Sequence, residues 1–192
     1  MSTSRGARGF TLIEAMVVVV IIGILATLAI VAYQKWIRTA RVGEAQDMVA
    51  HIRAAEESYR AENGNYLNVS KGLALTGVPG TGILYPAAVP GAFKTEWGGP
   101  CSVCTNPNAW EWLTINPPNP VWYGYAVVAG PSTSAPNYTI VVNGNPATSL
   151  ASMSGQPWYI VQAMGDTNGD NVFCTVYGFS NTNQIMIDNY GE

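Results

Sequence analysis

The sequence predicts an α+β chain: a long N-terminal α-helix, its first half transmembrane and its second half amphipathic, packed on an antiparallel β-sheet head. Three observations carry this reading. Residues 15–34 form a run of twenty without a charge. Beyond that run, apolar residues recur at three- and four-residue steps up to Asn63-Gly64. The last third of the chain contains short β-branched and aromatic runs separated by Gly, Asn and Pro turn signals.

At 1.5 Å per residue, the uncharged run reaches across the roughly 30 Å hydrocarbon core of a bilayer. A cleaved secretory signal would have a shorter apolar core followed by an Ala-x-Ala site, so this segment is expected to remain as an anchor. Arg5 and Arg8 precede it and Lys35, Arg38 and Arg41 follow. Charge alone therefore orients it weakly, and the short leader favours a cytoplasmic N-terminus. Glu14 stands at the start of the apolar run, where an acid within the membrane costs about 2.5–3.5 kcal/mol and calls for a partner or a position near the headgroups.

Past the anchor, Ala45, Met48, Val49, Ile52, Ala55 and Tyr59 share one helical face. Glu44, Asp47, Arg53, Glu57 and Arg60 lie largely elsewhere. The periodicity predicts a stem helix over residues 36–63 that continues the anchor and stops where Gly64 can take the left-handed cap. Residues 64–120 are irregular and rich in proline, but Trp97, Trp110 and Trp112 give them enough aromatic area to pack onto the fold. Strands are expected at 121–129, 138–142, 158–164, 172–179 and, more weakly, 185–188. The turns between them are Gly130-Pro131, Asn143-Gly144 and Asn168-Gly169. Short turns imply an antiparallel meander with the stem helix on one face.

Charge is unevenly distributed. Residues 1–62 hold seven of the nine basic residues, and the rest of the chain has only Lys71 and Lys94. With a net charge of −3 and 11% charged residues, the chain lacks the basic surface of an ordinary nucleic-acid binder. The nearly neutral head surface can pack beside copies of itself without like-charge repulsion.

Arg8, Gly9, Phe10, Thr11, Leu12, Ile13 and Glu14 spell R-G-F-T-L-I-E directly ahead of the aliphatic run. This strongly resembles the N-terminus of type IV pilins and the related pseudopilins, closely over residues 5–35. The resemblance implies a leader over residues 1–9, cut by a membrane-embedded prepilin peptidase between Gly9 and Phe10, with N-methylation of Phe10. It implies a filament-core helix over residues 10–35 and a head whose sheet and C-terminal loop occupy residues 121–192. It also implies that Glu14 meets the N-terminal amine of Phe10 on a neighbouring subunit. Many pilins have a proline about twenty residues after the cut. Here that position is Val31, although Gly23 is retained, so the sequence lacks the proline that would help this stretch unravel in a filament and leaves the degree of melting between the two open.

Cys101, Cys104 and Cys174 would face the oxidising side of the membrane, which predicts one disulfide and one remaining thiol. The C-terminal bridge of many pilins favours Cys174 paired with Cys101 or Cys104. A local Cys101 to Cys104 loop is the alternative. Zinc is disfavoured because the C-x-x-C has no second pair and the one histidine, His51, is on the stem. Asp166, Asn168 and Asp170 alternate like the first half of a calcium loop. Asn171 stands where glycine is usual and Tyr177 where a bidentate glutamate is usual, so the first reading is a plain turn. Calcium, as in the C-terminal loop of major pseudopilins, is the second reading, and no other cofactor is expected.

No catalytic motif is present: there is no G-x-S-x-G, no phosphate-binding G-x-x-x-x-G-K and no second histidine. The chain is therefore not expected to be an enzyme. It is expected to be the structural subunit of a homo-oligomeric helical filament, a pilus, held in the inner membrane before assembly and on the cell surface afterwards. By resemblance its partners are the prepilin peptidase and the pilus assembly machinery, with no nucleic acid. A type II secretion pseudopilin, or a membrane-anchored binding protein that never polymerises, are the alternatives. Adhesion and twitching motility are functions such filaments serve.

Overall fold

A computed structural model of the chain describes residues 11–74, 83–146, 150 and 153–190. The expected leader and Phe10 lie outside the described residues. The chain divides into two compact units, Met1–Ile37 and Arg38–Glu192. Helix α1, Leu12–Asn63, contributes to both.

In the first unit α1 is apolar on every side, and as far as Trp36 none of its apolar side chains is covered by the protein; Val19, for example, is 69% exposed. α1 is long and apolar enough to cross a membrane. The hydroxyl of Thr27 donates to the Ile24 carbonyl at 2.7 Å, which satisfies it within the helix. The helix is unbroken through Gly23 and Val31, where no proline removes a backbone bond.

In the second unit the pattern becomes amphipathic. Val42, Ala45, Val49, Ile52 and Glu56 are the buried positions, at alternating steps of three and four, with Met48, Ala55 and Tyr59 packed alongside. α1 ends where the sequence predicts: Gly64 has φ +80° and its N–H donates to the Arg60 carbonyl at 2.8 Å.

The sheet is an antiparallel meander of β1 (Gly124–Gly130), β4 (Trp158–Gly165), β5 (Cys174–Phe179) and β6 (Thr182–Asp188), in that order. Side chains alternate between its faces. Tyr125, Val127, Tyr159, Val161, Ala163, Cys174 and Val176 join the core beneath α1. Ala126, Val128, Trp158, Ile160, Met164, Tyr177 and Phe179 join a second core with Leu73, Leu84, Ile140 and Met153. Both faces are thus covered, which explains why β1 and β4 read as nearly continuous apolar runs. Within the second core the Gln162 side chain imitates a strand partner. Its Oε1 accepts from Ala74 N–H, and its Nε2 donates to the Ala74 carbonyl, both at 2.8 Å.

α1 approaches the sheet most closely at Gly178. A Cβ there would lie 2.7 Å from Arg53 Cδ and 2.8 Å from Val49 Cγ1, and the register of β5 against β6 shifts beside it. The glycine gives the helix room, while the Arg53 guanidinium donates to the Thr182 carbonyl at 2.7 Å and the Asn183 carbonyl at 3.1 Å.

Two expectations are corrected. The run 138–142 is not a strand of the sheet. Only β2, Val141–Val142, is extended, and it pairs with β3, Asn145–Pro146, around Asn143 and Gly144, both at positive φ. The alternation at 138–142 is real, since Ile140 is buried and Tyr138 packs beside it, but alternation reports burial and not the presence of a strand partner. The disulfide joins Cys101 to Cys104, and Cys174 remains a buried thiol. The segment carrying Cys101 and Cys104 is pinned by Ser70 pairing with Cys104 and Thr95 with Val121, so it is held near β1. Cys174 opens β5, where it lies in contact with the Tyr123 hydroxyl. The described parts of the 64–120 region are tied down by the same bridges, by Tyr85 pairing with Tyr125 and by the short helix α2, Ala109–Trp112.

Candidate functional site: the first turn of the anchor helix

Thr11, Leu12, Ile13 and Glu14 build the start of α1 as a capping box. Thr11 N–H donates to Glu14 Oε2 at 2.9 Å, and Thr11 Oγ1 donates to the same oxygen at 2.7 Å. In return Glu14 N–H donates to Thr11 Oγ1 at 3.3 Å. The acid also stands at the end of the helix where the peptide dipoles present positive charge. Position and local chemistry thus hold a carboxylate at the rim of an apolar helix. The T-x-x-E spacing was visible in the sequence as a capping signal, and a reading centred on the cost of burying Glu14 passes over it. Gly9 and Phe10 lie outside the described residues.

The Asp166 loop is built as a turn. Asp166 is buried; its Oδ1 accepts from Gly169 N–H at 2.7 Å and its Oδ2 from Asn171 N–H at 3.0 Å. Asp170 accepts from Asn168 Nδ2 at 2.8 Å and from Val172 N–H at 2.8 Å. These oxygens accept from the loop's own amides. Among the described residues no group of three His, Cys, Asp or Glu side chains could hold a metal.

The loop also docks on the stem. Arg41 donates to the Thr167 carbonyl and stacks its guanidinium 3.8 Å from the Trp122 ring centroid. Next to it, Glu44 accepts from Trp122 N–H at 2.9 Å and pairs with Lys94 at 3.3 Å. Sequence periodicity assigned Glu44 to the polar face of the stem. It could not show that this carboxylate closes a backbone bond of the 64–123 segment.

Glu56 is the residue that periodicity missed. It occupies the core-facing stripe and is fully buried; Oε2 accepts from Leu67 N–H at 2.9 Å, while Oε1 has no partner among the described residues. Burial pushes its carboxyl up to about 8, against the Leu67 hydrogen bond and with a further push from Glu57. Burial likewise raises the Tyr123 and Tyr125 hydroxyls well above the ordinary tyrosine range.

The family described as "Prokaryotic N-terminal methylation motif" matches residues 4–30, which contain both the R-G-F-T-L-I-E stretch and the capping box. The N-terminal third of the chain is similar to fimbrial and type IV pilin proteins. This segment is 38% identical to fimbrial protein EcpC of Eikenella corrodens over 71 residues that make up 36% of this chain and 46% of that protein. It is 41% identical over 69 residues to type IV major pilin protein PilE1 of Neisseria gonorrhoeae, covering 35% of this chain and 42% of that one. A fimbrial protein of Pseudomonas aeruginosa is 46% identical over 54 residues, covering 28% and 35%. The match spans less than half the length of each of these relatives. No solved structure matches the chain.

Proposed function

We propose that the chain is the structural subunit of a type IV pilus, assembling by helix bundling after its leader is cut between Gly9 and Phe10 and Phe10 is N-methylated. The observation that carries the proposal is a helix apolar on every side, opened by a capped carboxylate that lies within the methylation-motif match. Such a helix has nothing of its own chain to pack against, so lipid covers it first and other copies cover it in a filament. The new amine on Phe10 is a cation. At about 4 Å and an effective dielectric near 20 it attracts a carboxylate by roughly 4 kcal/mol, comparable to the cost of placing Glu14 in an apolar core. A neighbour's amine displaced along the axis meets Glu14 and sets subunit register.

The role is structural, with the prepilin peptidase as processing partner, the inner membrane as the site before assembly and the cell surface afterwards. A pilus is favoured over a secretion pseudopilin because the relatives similar to this segment are fimbrial proteins and a type IV major pilin. Fibres released by shear should contain the chain, and mass spectrometry of its terminus should give N-methylated phenylalanine at residue 10. A Met1 terminus in assembled fibres would overturn the processing.

A further inference from the structure

Five large apolar side chains are exposed among the described residues of the Arg38–Glu192 unit: Val89, Phe93, Trp112, Val172 and Tyr190. Three of them, Val89, Phe93 and Val172, belong to two loops that touch. Phe93 is 84% exposed, more than any other large apolar residue described, those of the uncovered anchor included. Val89 and Phe93 stand on the 86–95 loop, and Val172 ends the Asp166 turn. The loops meet at Gly169, where a Cβ would lie 3.4 Å from the Ala92 Cβ. Apolar residues scattered singly over a surface call for no explanation, but three gathered on adjoining loops do.

The 86–95 loop is braced at both ends. The Ala87 carbonyl oxygen and Pro90 Cγ lie 2.7 and 3.1 Å from where a Cβ on Gly124 would sit, so its start lies against β1. At its end Thr95 exchanges backbone hydrogen bonds with Val121 at 2.8 and 2.9 Å. Beside Phe93, Lys94 pairs with Glu44 of α1, and one turn earlier Arg41 donates to the Thr167 carbonyl of the other loop. Both loops are therefore fixed to the same short stretch of α1. In sequence that stretch follows the membrane-length run closely. The uncharged run ends at Gln34, with exposed Tyr33 and Trp36 beside its end, aromatic residues of the kind that sit at headgroup level. Lys35, Arg38 and Arg41 come next, with no acid before Glu44. Cations clustered beside a membrane span match the charge of anionic headgroups.

We propose that Val89, Phe93 and Val172 form a second membrane contact, through which the head rests on the anionic phospholipid surface before assembly. The proposal rests on α1 being the anchor. Phe93 enters the boundary between headgroups and acyl chains, while Lys94 and Arg41 stay at the level of the phosphates. Two attachments, helix and loop, then hold the head in one orientation on the bilayer.

The test uses the full chain in nanodiscs of phosphatidylethanolamine and phosphatidylglycerol, one chain per disc, with a nitroxide on a single added cysteine. Phe93→Cys reports on the loop, Val19→Cys on the anchor and Ala61→Cys on an exposed site near the far end of the stem. The unsubstituted chain, whose Cys174 is buried, gives the background. The label at 93 should collide more with oxygen, which concentrates in lipid, than with a water-soluble nickel chelate, as the label at 19 does. The label at 61 should do the reverse. Because that label replaces Phe93 itself, Val89→Cys supplies a second readout. Adding Phe93→Ser to it should shift the docked-to-free equilibrium about tenfold towards water, at unchanged head melting temperature. The proposal is overturned, with the anchor left standing, if the chelate reaches 93 as freely as 61 while 19 is shielded. If 19 is open as well, the anchor reading fails and the proposal with it. Shielding at 93 that appears only in discs holding two or more chains would assign the patch to a contact between subunits, and an unchanged label at 89 in the Phe93→Ser variant would remove Phe93 from the contact; either result overturns the proposal.

Discussion

The two units of this chain stabilise themselves in opposite ways. From Leu12 to Trp36 the helix leaves apolar side chains uncovered on all sides, and its one acid is tied into its own first turn. From Arg38 onward the same helix puts even a glutamate at zero exposure, and the sheet behind it is covered on both faces. A unit that covers its own apolar surface can fold alone, whereas one that cannot must be completed from outside. For the proposed pilus subunit, passing from membrane to filament, this division is useful, because the part that changes partners owes nothing to its own chain and the part that keeps its shape covers its own core.

The comparison breaks most sharply at Gly178. A branched side chain there meets Val49 and Arg53 at under 3 Å, and neither the stem nor β5 can retreat without opening the core. Gly178→Val should lower the stability of the Arg38–Glu192 unit by about 3 kcal/mol, read by denaturant unfolding of the solubilised chain. Membrane insertion of the anchor should be unchanged, and its loss along with head stability would show that the units are not independent.

A somewhat smaller effect is expected from Glu56. Its folded carboxyl titrates near 8, above the ordinary value of 4.5, so between those values the folded state holds a proton that the unfolded state releases. Head stability should therefore fall as pH rises through that window, with no contribution to the slope below it. Allowing for relaxation around the ionised group, the loss from about pH 5 to about pH 8 should be ~2 kcal/mol, and Glu56→Gln should remove it. The same slope in wild type and variant would mean that another group carries the pH dependence. At the other extreme, Val19→Ala removes two methyl groups that nothing in the protein covers. It should leave head unfolding within about 0.5 kcal/mol of wild type while weakening filaments against heat.

The same division decides what the sequence discloses. Periodicity marks helices and strands from neighbours three, four or two residues away, so the ends of α1 and the cores of β1, β4 and β5 lie close to where their residues suggest. The position of a partner distant in the chain is not encoded that way. Tyr138 to Val142 alternate as a strand would, but the backbone beside them is not a sheet edge that they pair with. Cys174 looks suited to a long bridge until the Ser70 and Thr95 pairings hold the other cysteines elsewhere. Glu56 breaks the apolar stripe in type while keeping it in phase, and only the Leu67 N–H beside it explains an acid at that place. At the site, T-x-x-E is an entirely local signal, passed over where Glu14 is weighed as a buried acid and not as a cap. The loop at Asp166 is ambiguous because a turn and the start of a calcium loop use the same residues at the same spacing.

The capping box also makes the decisive experiment cleaner than charge alone would. Glutamine can occupy the same capping position, so Glu14→Gln keeps the hydrogen bonds that open α1 and removes only the carboxylate charge. The variant should insert, lose its leader and fold its head like wild type. In a strain with no other copy of the subunit, electron microscopy of shear fractions should find few filaments or none, because the incoming Phe10 amine meets no counter-charge. Filaments in wild-type amounts from Glu14→Gln would contradict the account and leave Glu14 as a helix cap alone.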